Sequence, residues 1–135
     1  MWDEATQSTA AAGPPVAQQL RFGSARTRLL LSQRGKIRVL WMRDIEFVQA
    51  AGKHVKIYAG GHCHSCRQPL CRIESRLDPA YFVRVHRTTL VNVEHIAELH
   101  PLFHGDYELI LKRGTRLSLS RRYRQHLTPF LLELA

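Results

Sequence analysis

Residues 27–119 never hold one pattern for long, and short apolar or alternating stretches recur, each broken by turn formers. Thr27 to Leu31 is the first such stretch. Lys36 to Met42 places Ile37, Val39 and Trp41 on one face of an extended chain, and Ile45 to Ala50 follows the Arg43-Asp44 break. Val55 to Tyr58 follows the Gly52-Lys53 turn. The same character resumes at Phe82 to His86, Thr89 to Val93, Ile96 to Leu99, Tyr107 to Leu111 and Arg116 to Leu119. Gly105-Asp106 and Arg113-Gly114-Thr115 serve as hairpin turns. Links this short join antiparallel neighbours, whereas parallel pairing needs a long crossover. The pattern therefore points to small antiparallel sheets and away from βαβ units.

Two segments break the alternation. Between Pro69 and Leu77 the apolar residues fall at 70, 73 and 77, one stripe of a short central helix with Pro69 at its first position. Asp78-Pro79 then reads as a cap and restart. Near the end, Ser120 can cap a C-terminal helix running to about Leu127, which Pro129 kinks or restarts. The expected fold class is mostly β with these two helices, and 135 residues make one domain. Residues 1–25 read as a flexible lead-in, since 1–20 are rich in Ala, Gln, Pro, Ser and Thr; the domain is placed at 26–135. No internal repeat is visible.

Charge narrows the partner. Twenty Lys and Arg stand against eleven Asp and Glu, a formal net charge of +9, and sixteen of the twenty cations are arginine. Arginine's planar fork suits phosphate oxygens and guanine edges. A small domain this basic is matched to a polyanion, either nucleic acid or an anionic membrane surface.

The cations gather in places. From Leu109 to Leu132 there is no acidic side chain, yet Lys112, Arg113, Arg116, Arg121, Arg122 and Arg124 all fall there. Arginines in the first turn after Ser120 oppose the helix dipole, at about 0.3–1 kcal/mol each when exposed. A bound anion held by free backbone N–H groups and these guanidiniums would offset that cost. A second cluster is Arg84-Val-His86-Arg87-Thr88-Thr89, in which either the strand end splays its side chains or Arg87 leaves the strand on a loop. Arg87, Thr88 and Thr89 are donors suited to phosphate. His86 either fixes the turn through backbone bonds or contacts a base. Lys53 and His54, at the turn after Phe47 and Val48, form a weaker third cluster.

Four stretches carry a resemblance: Asp44 to Tyr58, Pro69 to Leu77, Phe82-Val-Arg-Val-His-Arg-Thr-Thr-Leu-Val-Asn92, and Leu117-Ser-Leu-Ser-Arg-Arg-Tyr123. Over roughly residues 26–132 the chain resembles the LytTR-type DNA-binding domain, the output module of many two-component response regulators (the LytR/AlgR-like family). The resemblance implies an elongated set of small antiparallel sheets. It also implies loops entering successive major grooves of double-stranded DNA, with two copies on direct repeats. The family's Asn-Tyr turn falls on Lys53 and His54, its loop after the His on Arg87, and its Ser-Arg-Arg element on Ser120, Arg121 and Arg122. On this basis the DNA-binding residues are Lys53, His54, His86, Arg87, Thr88, Thr89, Ser120, Arg121, Arg122 and Arg124. Arg121 is assigned to a guanine edge, and Arg87, Thr88, Arg122 and Arg124 to phosphates. Such modules commonly follow a receiver, for which residues 1–25 leave no room, so an excised output domain or a stand-alone regulator is expected.

A reading from another class uses His62-Cys-His-Ser-Cys66 and Cys71 as a metal- or redox-responsive sensor. Cys63 and Cys66 fall on opposite faces of a strand and Cys71 on the helix, so their sulfurs do not converge without a bulge. No metal or cofactor is therefore expected. Nor is an enzyme, since no nucleophile–base set or Gly-rich phosphate loop stands out, and His100 to His104 reads as a turn. No apolar run can span a bilayer, and three cysteines make a poor disulfide framework. A cytoplasmic setting follows.

Overall fold

A computed structural model of the chain describes residues 28–130; the lead-in expected over 1–25 lies outside the described residues, as do 131–135. Ten strands follow in order: β1 (Arg28–Gln33), β2 (Lys36–Trp41), β3 (Ile45–Ala51), β4 (His54–Ala59), β5 (His62–Cys66), β6 (Phe82–His86), β7 (Thr89–Asn92), β8 (Ile96–Pro101), β9 (Tyr107–Leu111) and β10 (Arg116–Leu119). Helix α1 (Leu70–Arg76) separates β5 from β6, and α2 (Arg124–Leu127) follows β10. All pairings are antiparallel, as the short links require.

The central sheet has the order β5-β4-β3-β7-β6, flanked by a β1-β2 hairpin and a three-stranded sheet β10-β9-β8. Both faces of the central sheet are covered. One face packs Ile45, Val48, Ile57 and Leu90 against Leu70, Ile73 and Leu77 around α1 and against Leu29 and Leu31 of the hairpin. The other face packs Phe47, Val83, Val85 and Val91 against Leu109, Leu111, Leu117, Leu119 and Leu127. This two-sided burial explains why successive residues of β3 and β7 are buried, Glu46, Thr89 and Asn92 among them, while β1 and β9 alternate.

Helix α1 begins one residue later than the sequence pattern implies, with Pro69 outside it in an extended conformation. Asp78 does restart the chain: its carboxylate accepts from the Ala80 N–H at 2.9 Å, and its carbonyl from those of Tyr81 and Phe82. The C-terminal helix differs from its expectation. Arg121–Tyr123 form a 3-10 turn, only Arg124–Leu127 are α-helical, and Thr128–Phe130 return to 3-10 geometry. Ser120 makes no side-chain cap. Only Leu127 of α2 is buried, so one apolar anchor does not hold a longer helix against the sheet.

Candidate nucleic-acid interface

The two-residue turn Gly52-Lys53 joins β3 to β4, with Ala51 opposite His54. Gly52 takes a positive φ of 64°, which a side chain at that corner would resist, and Lys53 and His54 both stand exposed. The turn Arg87-Thr88 joins β6 to β7, with His86 opposite Thr89. Of the two alternatives for Arg87, the chain takes the loop: Arg87 is exposed, while Val83 and Val85 enter the core and Arg84 faces Glu74 of α1 at 3.5 Å.

The two turns are joined. The Ala50 N–H donates to the Thr88 carbonyl at 2.8 Å, setting them side by side at one end of the central sheet. His86 braces its own turn, its Nδ1 accepting from the Thr88 N–H at 3.3 Å and lying 2.9 Å from Thr88 Oγ1. Accepting at Nδ1 leaves the proton of the neutral ring on Nε2. Thr89 is 3% exposed, and its hydroxyl meets Gln49 Nε2 and Thr88 Oγ1 at 3.4 Å each. It stands inside the turn, away from the surface where the sequence pattern puts a phosphate donor.

The third segment docks beside them. The Ser120 N–H donates to the Val85 carbonyl at 3.1 Å, so residues 120–122 adjoin the last residues of β6. Arg121, Arg122 and Arg124 are exposed. The anion expected at this chain start is partly internal: the Asp106 carboxylate accepts from the Arg121 N–H at 2.8 Å. A four-residue helix has little dipole to offer, so the arginine side chains, rather than a helix terminus, give this segment its affinity for anions.

Strand order lines these groups up. Four strand spacings of about 4.8 Å give a row about 19 Å long, enough to cross a major groove about 12 Å wide and reach its flanking phosphates. Lys53, Arg87, Arg121, Arg122 and Arg124 form no ion pair with an acidic side chain among the described residues. Arg67, which directly follows β5, extends the row beside His54, because Cys66 pairs with Val55. The Gln33 side chain donates to the Ser65 carbonyl at 2.8 Å and brings the Arg34 turn to the same end. Sequence reasoning missed both arginines; only the β4–β5 register and the hairpin's docking reveal them.

The three cysteine sulfurs do not come together. Cys63 is exposed and Cys66 buried on the opposite face of β5, Cys71 is exposed on α1, and all three thiols are free. Among the described residues no group of three or more His, Cys, Asp or Glu could hold a metal ion. No described helix is long and apolar enough to cross a membrane.

Residues 35–131 match the family model of the LytTr DNA-binding domain. The chain belongs to this family. The sensory transduction protein LytT of Bacillus subtilis (strain 168) is 34% identical over 104 residues, 77% of this chain and 43% of that protein. The transcriptional regulatory protein LytR of Staphylococcus aureus (strain MW2) is 33% identical over 88 residues, 65% of this chain and 36% of that protein. The chain thus spans about two-fifths of the length of these relatives. A solved LytTr DNA-binding domain from Bacillus cereus superposes with a TM-score of 0.68 at 22% identity, covering 76% of this chain and 94% of that one. That likeness is one of fold: small antiparallel sheets with few helices. The chain is thus a LytTr DNA-binding domain.

Proposed function

We propose that this LytTr domain binds double-stranded DNA sequence-specifically, as the output part of a response-regulator-type protein acting in the cytoplasm. The observation that carries the reading is the row of exposed cations, without acidic partners among the described residues, on three adjoining turns at one end of the central sheet. In this reading Arg121 meets a guanine edge, while Arg87, Thr88, Arg122 and Arg124 hold phosphates, with Lys53, His54 and the Ser120 segment against the same duplex. His86 and Thr89 contribute by shaping the Arg87-Thr88 turn. Two copies occupy a direct-repeat operator, and a receiver domain in the full-length protein supplies control. The domain itself performs no catalysis and needs no cofactor for binding.

Selection of bound duplexes from a random pool, followed by fluorescence anisotropy across a salt series, tests this reading. With about five phosphates neutralised, log affinity falls against log salt with a slope near −4 to −5. Failure to bind any duplex in dilute buffer overturns it.

A further inference from the structure

Phe103 is 88% exposed, far above the 53% of its neighbour Leu102. It sits at the tip of the loop between β8 and β9, where the Leu102 N–H donates to the Asp106 carbonyl at 2.8 Å and the Asp106 N–H to the Phe103 carbonyl at 3.4 Å. The loop has a defined shape, with His104 in the left-handed region at φ 64°. It is also the shelf on which the arginine segment rests. A Cβ on Gly105 would lie 3.1 Å from Arg121 Cδ and 3.8 Å from Arg124 Nη1, and the Asp106 carboxylate holds the Arg121 N–H. A phenyl ring is therefore offered to solvent on the loop that supports both arginines. Leaving that ring in water forgoes the gain of burying it, and nothing in the fold needs it there.

We infer that Phe103 is a specificity residue, its ring meeting the 5-methyl group of a thymine in the groove that Arg121 reads. The inference rests on the proposed DNA binding and adds an apolar contact to it. The thymine methyl is the one apolar feature on the base edges of a major groove. An aromatic ring beside a guanidinium thus adds recognition of thymine to recognition of guanine. Because the ring is almost wholly exposed and its ring contact is with the adjacent His104, 6.5 Å away between centroids, its removal leaves the domain folded.

The test replaces each thymine of the selected duplex in turn by deoxyuridine, which lacks only the methyl. One replacement is expected to weaken wild-type binding about fourfold, the worth of one buried methyl group. Phe103→Ala, matched to wild type in thermal unfolding, is expected to bind more weakly and to lose that sensitivity. If wild type selects a duplex but no thymine replacement matters, the Phe103 assignment falls and the DNA reading stands. The assignment falls in the same way if Phe103→Ala stays as sensitive as wild type, or if its only loss is in the cooperativity between two bound copies. If no duplex is selected at all, the DNA reading falls and takes this assignment with it.

Discussion

The carboxylate of Asp106 accepts the backbone N–H of Arg121 at 2.8 Å, so an acidic side chain of the three-stranded sheet's loop fixes where an arginine of the exposed cation row begins. This contact orders the backbone while leaving the guanidinium free for a ligand. It also places a negative charge close to where DNA phosphates would pass, so affinity and order are set against each other.

Replacing Asp106 by Ala separates the two effects. Removing the charge favours every duplex alike, whereas loosening the Arg121 backbone penalises only the sequence that demands its placement. The ratio of cognate to random binding is therefore expected to fall, with random-duplex affinity unchanged or higher, in a competition titration. Arg121→Ala should cost about 1–3 kcal/mol on the cognate duplex and little on random ones. Arg124→Ala should weaken both alike and reduce the salt slope by about one.

A contact between two sheets bears on stability. Glu46 occupies a β-bulge in β3, which turns its side chain toward the crevice lined by Phe47, Tyr58, Gly61, Arg113 and Thr115. Its carboxylate is 5% exposed, and Arg113 Nε stands 2.6 Å from Oε2, a charge contact whose N–H is not aimed at the oxygen. Arg113→Ala leaves that buried charge without compensation and is expected to cost about 1–3 kcal/mol in urea unfolding. In a Glu46→Gln background the same change should cost much less, which a double-mutant cycle reads directly.

Asn92 ties the end of β7 to the turn before β3. Its side chain is 1% exposed, its Nδ2 donates to the carbonyls of Met42 and Ile45 at 3.3 and 3.0 Å, and its Oδ1 accepts from the Glu94 N–H at 2.9 Å. Asn92→Leu removes the side-chain bonds to the Ile45 carbonyl and the Glu94 N–H, while the Met42 carbonyl keeps the bond from the Ile45 N–H, and a loss of about 1–3 kcal/mol is expected. Equilibrium urea unfolding checks it, and an unchanged midpoint would contradict the role.

Acid should weaken the fold partly through His64. Burial, with the charges of Arg38 and His62, holds its imidazole below the ordinary value near 6.5. The unfolded chain then takes up a proton that the folded chain refuses. The contribution is complete above about pH 6.5 and fades as pH falls toward the folded value. His64→Gln should flatten the fall in the unfolding midpoint between about pH 7 and pH 5, while leaving the midpoint at pH 7.5 nearly in place.

Much of this was legible in the residues themselves. Short alternating runs separated by Gly-containing pairs leave antiparallel hairpins as the economical arrangement, and the 70, 73, 77 spacing yields α1. The motif stretch from Phe82 to Asn92 and the run Ser120-Arg-Arg point to the family by themselves, and the family match agrees. The C-terminal helix was less legible, because a cap residue and a permissive composition do not reveal how little apolar surface a segment can bury. Arg34, Arg67 and Phe103 carried no local signal at all: each is an ordinary turn or loop residue in its own neighbourhood.

What the sequence determines alone is local: which stretches extend, where they turn, and that arginine gathers toward the carboxyl end. Side-chain periodicity and turn stereochemistry act over a few residues, so a short window of chain is enough to show them. Tertiary structure decided which turns meet. The bonds from Ala50 to Thr88, from Ser120 to Val85 and from Arg121 to Asp106 join residues far apart in the chain. They exist only because burial on both faces of the central sheet fixes strand order and register, and that packing makes one row out of scattered cations.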